Sequence, residues 1–417
     1  MFFGIDDYMA RFCHYIKRHE ARVLAQRYVV GLMMDGDRKS VEPLSEKVHA
    51  SERGMQRLLT DVKWNLEGAS CEYRRQMLAE TDDPQGVLLI DDTAFPKKGN
   101  HSVCVTRQYC GSRGKVDNCQ VGVSMTYVGQ GFAWPYAMEL FVPESWDNPE
   151  SLALRKKTKM PEVVHYQEKW QMALGLIDLA EADGVSHRAV VADSWYGNIM
   201  EFRRGLAERK KRYVVGVHSD TLVFLEPPVF EEPNSQEKKP GRGRKYPKLS
   251  EMHLLPVKVA DLGKCVEEED WEHLEIRKDC QGKPLVIEAI SRRVFPGQGY
   301  KKGSINEEVW LIMERRHGDK QTELRYFFSN MPQDMPTLEM VRLFHERFWI
   351  EQGYQQLKEE LGLDHHEGRS WPGWHRHVLL VFLAFGYLTL QRIQEKKLIQ
   401  RTWWNQRMKT ATTSLVR

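Results

Sequence analysis

Three acids carry the residue types and spacing that metal-assisted phosphoryl chemistry needs. Asp92 stands two residues after the apolar run Val87-Leu88-Leu89-Ile90, and Asp193 directly follows Ala189-Val190-Val191-Ala192. Both runs read as strands buried on two faces, and in open α/β sheets ligands collect where such strands end. Glu351 lies in a helical segment with Phe344, Arg347 and Lys358, at successive separations of three, four and seven residues. On one continuous helix these four positions fall within a stripe roughly 60° wide. A carboxylate flanked by Arg and Lys on one face suits a site where a divalent cation meets phosphates. Mg²⁺ takes oxygen ligands from a few carboxylates and from substrate phosphates. Two such ions, about 4 Å apart, stabilise the attacking and leaving oxygens of an in-line displacement. On this reading Asp92 bridges two Mg²⁺ ions, Asp193 and Glu351 each complete one side, and Mn²⁺ is the natural substitute. Singly each acid is weak: a strand-terminal Asp is more often a turn former, and an Arg–Glu pair at i,i+4 a surface ion pair. The combination is far more specific.

The elements that must position these acids follow from periodicity. Residues 1–85 have helical spacing throughout, with few strand signals. Ser40 before Val41-Glu42-Pro43 starts one helix and Ser51 caps a second. In that second helix Met55, Leu58, Leu59 and Val62 form an inward stripe, with Arg53, Gln56 and Arg57 on another face. This pair suits a helix-turn-helix reader of DNA, and equally a plain helical bundle. From Gly86 the pattern becomes strand-like: residues 87–90, ending in Asp91-Asp92-Thr93, then 102–108, 121–128 and 132–142. A helix over 161–182, a strand at 189–192, a helix over 198–209 and a strand at 212–217 follow. That order describes an α/β layer with an antiparallel part early and parallel crossovers later.

The segment 218–335 reads as a β-rich insertion and not as a continuation of the first sheet. It contains a basic loop, 236–248, with Lys238, Lys239, Arg242, Arg244 and Lys245 among Pro and Gly. Such a loop is either a solvated linker or a set of phosphate contacts that release counterions. In 336–394 the chain turns helical again from 337 to about 362, carrying Glu351, and a loop over 363–374 precedes an apolar helix that reads as buried; 395–417 form a polar tail. The domains expected are therefore 1–85, 86–217, 218–335, 336–394 and 395–417. His365, His366, Glu367, His375 and His377 lack the H-E-x-x-H spacing and read as a surface loop. The turn Lys97-Lys98-Gly99 is placed for phosphate contact or for solvation.

Composition sets bounds. Lys and Arg total 61 against 58 Asp and Glu, a net charge of +3, which excludes very basic coating proteins but not local basic patches. Seven scattered cysteines, none in a C-x-x-C pair, argue against a disulfide framework or a zinc knuckle and for a reducing compartment. The apolar run 378–390 is too short to span a bilayer. Gly111, Gly114 and Lys115 lack the Gly-Lys-Ser/Thr ending of a nucleotide loop, so no nucleotide cofactor is expected.

Taken together, Ile90-Asp91-Asp92-Thr93, Val191 to Gly197 and the Phe344–Lys358 spacing resemble DDE-type insertion-sequence transposases with a ribonuclease-H-like core. More narrowly the chain is similar to the insertion sequence four and seven-hundred-and-one groups, with their Y-x-x-R-x-x-x-E-x-x-x-x-x-x-K signature. Residues 108–120 and 38–43 share the likeness. The resemblance implies a ribonuclease-H-like mixed sheet flanked by helices, with Asp92, Asp193 and Glu351 as metal triad. It prefers Asp92 over Asp91 because Asp92 stands directly before Thr. It implies that Arg347 and Lys358 contact phosphates. Phe344 departs from the signature Tyr and can stack but not donate a hydroxyl hydrogen bond. In relatives an aromatic of the insertion stacks on a flipped base, for which Trp271 and Trp310 are candidates here.

The expectation is a Mg²⁺-dependent DNA transposase, cutting transposon ends and joining them to target DNA. Double-stranded DNA is its partner, as terminal inverted repeats and as target, with a DNA-dependent homodimer, no membrane, and a cytoplasmic, nucleoid-associated bacterial setting. The alternatives are a domesticated DNA-binding protein without cleavage and a simple nuclease. A glycosidase gives no reason for the Arg347 and Lys358 stripe.

Overall fold

The computed structural model describes residues 4–232, 246–278, 282–317 and 322–414. Helices come first: α1 (Ile5–Ala10), α2 (His19–Met33), α3 (Val41–Lys47), α4 (Glu52–Thr60) and α5 (Leu66–Thr81). Next are β1 (Val87–Pro96), β2 (Thr106–Cys110), β3 (Lys115–Gly129), β4 (Phe132–Leu140), α6 (Leu152–Lys157), α7 (Lys169–Ala182), β5 (Ala189–Ala192), α8 (Ser194–Gly197), α9 (Met200–Glu208) and β6 (Tyr213–Val217). A β-rich run follows: β7 (Leu222–Phe224), β8 (Phe230–Glu231), β9 (Lys248–Leu249), β10 (Val257–Lys258), α10 (Val259–Lys264), β11 (Glu272–Lys278), β12 (Pro284–Pro296), β13 (Val309–His317) and β14 (Thr322–Ser329). The chain closes with α11 (Thr337–His345), α12 (Phe348–Gln355), a π-helical stretch Gln356–Glu360, and α13 (Trp371–Ser414).

Two compact units divide these elements. The first comprises Met1–Gly86, Asp92–Ser186 and Trp349–Arg417, and the second Val87–Asp91 and His187–Phe348. In the first unit β3 stands next to β1 and pairs antiparallel with β2 and β4. Its helices gather on α13, whose residues Val378 to Leu383 are all buried and which packs against α2, α4, α5 and β4. Tyr73 of α5 donates to the Pro135 carbonyl, and Trp134 donates to Thr81 Oγ1, so each bulky buried aromatic has its polar atom satisfied. The run 378–390 is part of a buried helix: it lies within Trp371–Gln400, which is long and apolar enough to cross a membrane by length and composition alone, with 72% of its apolar window buried in the fold. One expectation fails: the tail from residue 395 is not separate, because α13 continues into it as far as Ser414.

In the second unit β1 pairs parallel with β5 and β5 with β6. β6 then pairs antiparallel with β14, Phe328 lying opposite Val215, and the ladder runs on through β13 and β12, with β11 and β7 both paired to β12. The strands of 284–329 therefore do continue the first sheet, against expectation. The missing signal was pairing across more than a hundred residues, which strand periodicity cannot report. Mixed parallel and antiparallel pairing with flanking helices is the α/β class expected, and it is consistent with a ribonuclease-H-like core. The five basic residues Lys238, Lys239, Arg242, Arg244 and Lys245 lie outside the described residues.

Candidate active site

The two aspartates sit in different local settings. β1 does not stop at Asp91: it runs through both acids to Pro96, with Thr93, Ala94 and Phe95 buried again beyond them. Alternation puts Asp91 and Asp92 on opposite faces. Asp91 faces Arg347 at 3.7 Å, and Asp92 Oδ2 accepts from the Lys169 ammonium. β5, by contrast, ends where expected. Ile90 lies opposite Ala192 in the register, so Asp91 and Asp193 are the next positions along the two strands. Asp193 turns out of its strand as the N-cap of α8, its Oδ1 accepting from the backbone N–H of Trp195 at 3.0 Å and of Tyr196 at 3.1 Å. That turn is packed glycine against glycine: a Cβ on Gly197 would lie 1.9 Å from the Gly216 carbonyl oxygen.

The helix expected over 337–362 is broken. α11 ends at His345, Glu346 and Arg347 form a turn, and α12 begins at Phe348, at the boundary between the units. Phe344, Arg347, Glu351 and Lys358 therefore do not share one straight stripe. Phe344 stacks on Phe327 of β14 with ring centroids 3.8 Å apart, and His345 Nε2 is 2.8 Å from Glu314 Oε2, which ties α11 to the sheet of the second unit. Beyond the break Glu351 is exposed in the first turn of α12. Three residues on, the Tyr354 hydroxyl bonds Ser124 Oγ of β3 at 2.6 Å. Lys358, in the π-helical stretch, donates to the Ala94 carbonyl at 3.2 Å and lies over the Phe95 ring. Residues three apart on an α-helix share a face, so Glu351 is on the face of α12 whose Tyr354 bonds β3; the Ala94 that Lys358 bonds is two residues beyond Asp92.

Three carboxylates are the oxygen donors that Mg²⁺ prefers, and Asp92 is already matched to a cation, the Lys169 ammonium. The donor chemistry therefore fits a divalent ion. Among the described residues no group of three His, Cys, Asp or Glu side chains stands close enough to hold one. Asp92 and Glu351 belong to the first unit and Asp193 to the second. Lys169 went unnoticed in the sequence. Its one local signal was a Lys opening an apolar helix directly after the capping Glu168.

A profile of the DDE superfamily endonucleases matches residues 11–283, well over half of the chain. The chain belongs to this endonuclease superfamily. Its DDE profile spans Asp92 and Asp193 and stops short of Glu351. The chain is also 25% identical over 336 residues to a probable transposase for insertion sequence element IS701 from Microchaete diplosiphon, covering 80% of this chain and 73% of that protein. Among solved structures it matches the NurA nuclease from Sulfolobus solfataricus at 10% identity, covering 67% of this chain and 81% of that one, with a TM-score of 0.27, too slight a likeness to carry an argument.

The remaining residues named from the sequence of this DDE endonuclease divide into presented and occupied. Arg53, Gln56 and Arg57 are exposed on α4, above buried Met55, Leu58 and Leu59, and Ser51 Oγ accepts from Gly54 N–H at 3.1 Å. Trp271 is buried beneath the Arg315 guanidinium, and Trp310 donates to the Pro332 carbonyl. Both are engaged within the second unit. Arg376 donates to the carbonyls of Leu58 and Leu59 at the end of α4.

The histidines do not all lie in a surface loop. His366 and His377 are buried and stacked 5.0 Å apart, and His377 also bonds the Tyr28 hydroxyl. Burial lowers the pKa of His377 to about 4. Lys97 is held as well: its ammonium donates to the His366 carbonyl at 2.5 Å, and burial lowers its pKa to about 8.

Proposed function

We propose that the chain is an insertion-sequence transposase that cleaves DNA at transposon ends and joins the freed strand to target DNA. The observation that carries this reading is the DDE endonuclease match across both aspartates. The similarity to an insertion-sequence transposase over most of the chain and the Arg347–Glu351–Lys358 spacing support it. Asp92, Asp193 and Glu351 are the residues to hold two Mg²⁺ ions, or Mn²⁺. When bound, such ions would stabilise the attacking and leaving oxygens at the scissile phosphate. The protein's own groups orient the DNA. Arg347 and Lys358 exchange their present partners, Asp91 and the Ala94 carbonyl, for phosphate oxygens. Arg53, Gln56 and Arg57 face a DNA groove, and the basic loop with Lys238, Lys239, Arg242, Arg244 and Lys245 adds phosphate contacts. Phe344, stacked on Phe327, supports Arg347, whose guanidinium lies over its ring. The active species is a DNA-dependent dimer on paired inverted repeats, working in the cytoplasm on nucleoid DNA.

The test is strand cleavage on inverted repeats bracketing the reading frame, with Mg²⁺. Asp92→Asn, Asp193→Asn and Glu351→Gln should each lose roughly a hundred-fold or more. Asp91→Asn should retain cleavage. Full activity in any of the three triad variants overturns the assignment. Cutting without joining on a strand-transfer gel would reduce the protein to a nuclease, and binding without cutting to a DNA-binding protein.

A further inference from the structure

Lys169 is the first residue of α7, and this helix packs on β3 through an apolar face that includes Ala173, Leu174, Leu176 and Ile177. The helix start is fixed independently of the lysine, since Gln171 Oε1 accepts from the Glu168 backbone N–H at 3.0 Å. The lysine follows the capping Glu168, whose carboxylate already serves the helix N-terminus, so the helix start does not depend on the Lys169 ammonium. That ammonium bonds Asp92 Oδ2, with side chains 22% and 29% exposed, so water and ions can reach the pair. A partly exposed Lys–Asp pair is weakly held. A divalent ion places twice the charge on the same oxygen and can displace it. Lys is also a flexible point charge that readily takes a new phosphate partner.

We propose that Lys169 is a displaceable counter-ion of the active site. It neutralises Asp92 in the ion-free protein, yields that oxygen to the divalent ion, and then binds a phosphate oxygen of the DNA. The proposal rests on Asp92 being a metal ligand. It makes Lys169 a positioning residue whose role changes with the ion, which a purely structural ion pair would not do.

Two measurements on the full chain test it. The first is Mn²⁺ affinity of the DNA-free protein by electron paramagnetic resonance. Lys169→Met should bind roughly two- to fivefold tighter than the parent, and Asp92→Asn should lose the site. The second is the salt dependence of binding to an end duplex, with Ca²⁺ present so that no strand is cut. There Lys169→Met should flatten the slope of log affinity against log salt by about 0.9, and Lys169→Arg should restore it. Without divalent ion the parent and Lys169→Met slopes should coincide. Unchanged or weaker Mn²⁺ binding in Lys169→Met overturns the proposal, as does a slope that ignores the ion. Parent-like Mn²⁺ binding by Asp92→Asn overturns the ligand assignment itself, and the proposal with it. Removing a cation from a helix N-terminus favours the helix, so Lys169→Met should remain folded.

Discussion

Asp92 and Asp193 each follow a buried apolar tetrad, yet the protein holds them by opposite means. Asp193 is set by backbone: two N–H groups of α8 grip one oxygen, and the Gly197–Gly216 approach leaves that turn no room to shift. Asp92 sits within a strand that continues past it, and it is paired with a charged side chain, Lys169. Glu351 resembles Asp92, since its helix is joined to β1 by an ammonium, that of Lys358, and to β3 by a tyrosine hydroxyl. The following loop belongs to the same charged and titratable setting, with Lys97 and His366. One acid is therefore preorganised, and the other two have neighbours that pH, salt and cations can move.

The comparison is broken most directly at the glycine contact. Gly197→Ala would put a methyl against a backbone carbonyl that cannot retreat. A loss of about 3 kcal/mol is expected, at the upper end for overpacking. Urea denaturation measures it, and a variant as stable as the parent would show that the turn around Asp193 is not rigid.

The next effect is on pH and should fall in the first unit. His377 titrates near 6.5 when unfolded and, because burial disfavours its cation, at about 4 when folded. The unfolded chain thus binds the proton first. Stability is complete above pH 6.5 and falls as pH drops toward 4. From this group alone the loss between pH 7 and pH 5 is about 2 kcal/mol. His366, also lowered by burial, adds in the same direction. Hydrogen exchange should show the weakening in α2 and α13 and leave α8 and β6 protected. Equal weakening of both regions would erase the distinction.

The smallest effect separates the aspartates themselves. Asp193→Ala removes an N-cap and should cost about 1 kcal/mol. Asp92→Ala removes a partly exposed ion pair and should cost a few tenths of a kcal/mol. Thermal melts that reverse this order would reverse the assignment of rigid and mobile acid.

Much of this was legible in the residues. Ala189–Ala192 and its terminal Asp193, the Ser51 cap, and the inward Met55, Leu58 and Leu59 all stand as their spacing predicts. What misled was continuity. Asp91 and Asp92 look like a strand end, yet the strand passes through them because Thr93, Ala94 and Phe95 are buried beyond. Helical period runs unbroken from residue 337, yet the helix breaks at Glu346 and Arg347, where Phe344 and His345 are held by Phe327 and Glu314 of the sheet.

The sequence by itself determined the local elements and the family, because periodicity, caps and motif spacing are properties of neighbouring residues. Only the tertiary structure decided which partner each acid keeps: Lys169 for Asp92, Arg347 for Asp91, backbone N–H groups for Asp193. The physical reason is distance along the chain. Lys169 lies 77 residues from Asp92, and a charge pair across such a separation exists only after the strands and helices that carry it have packed.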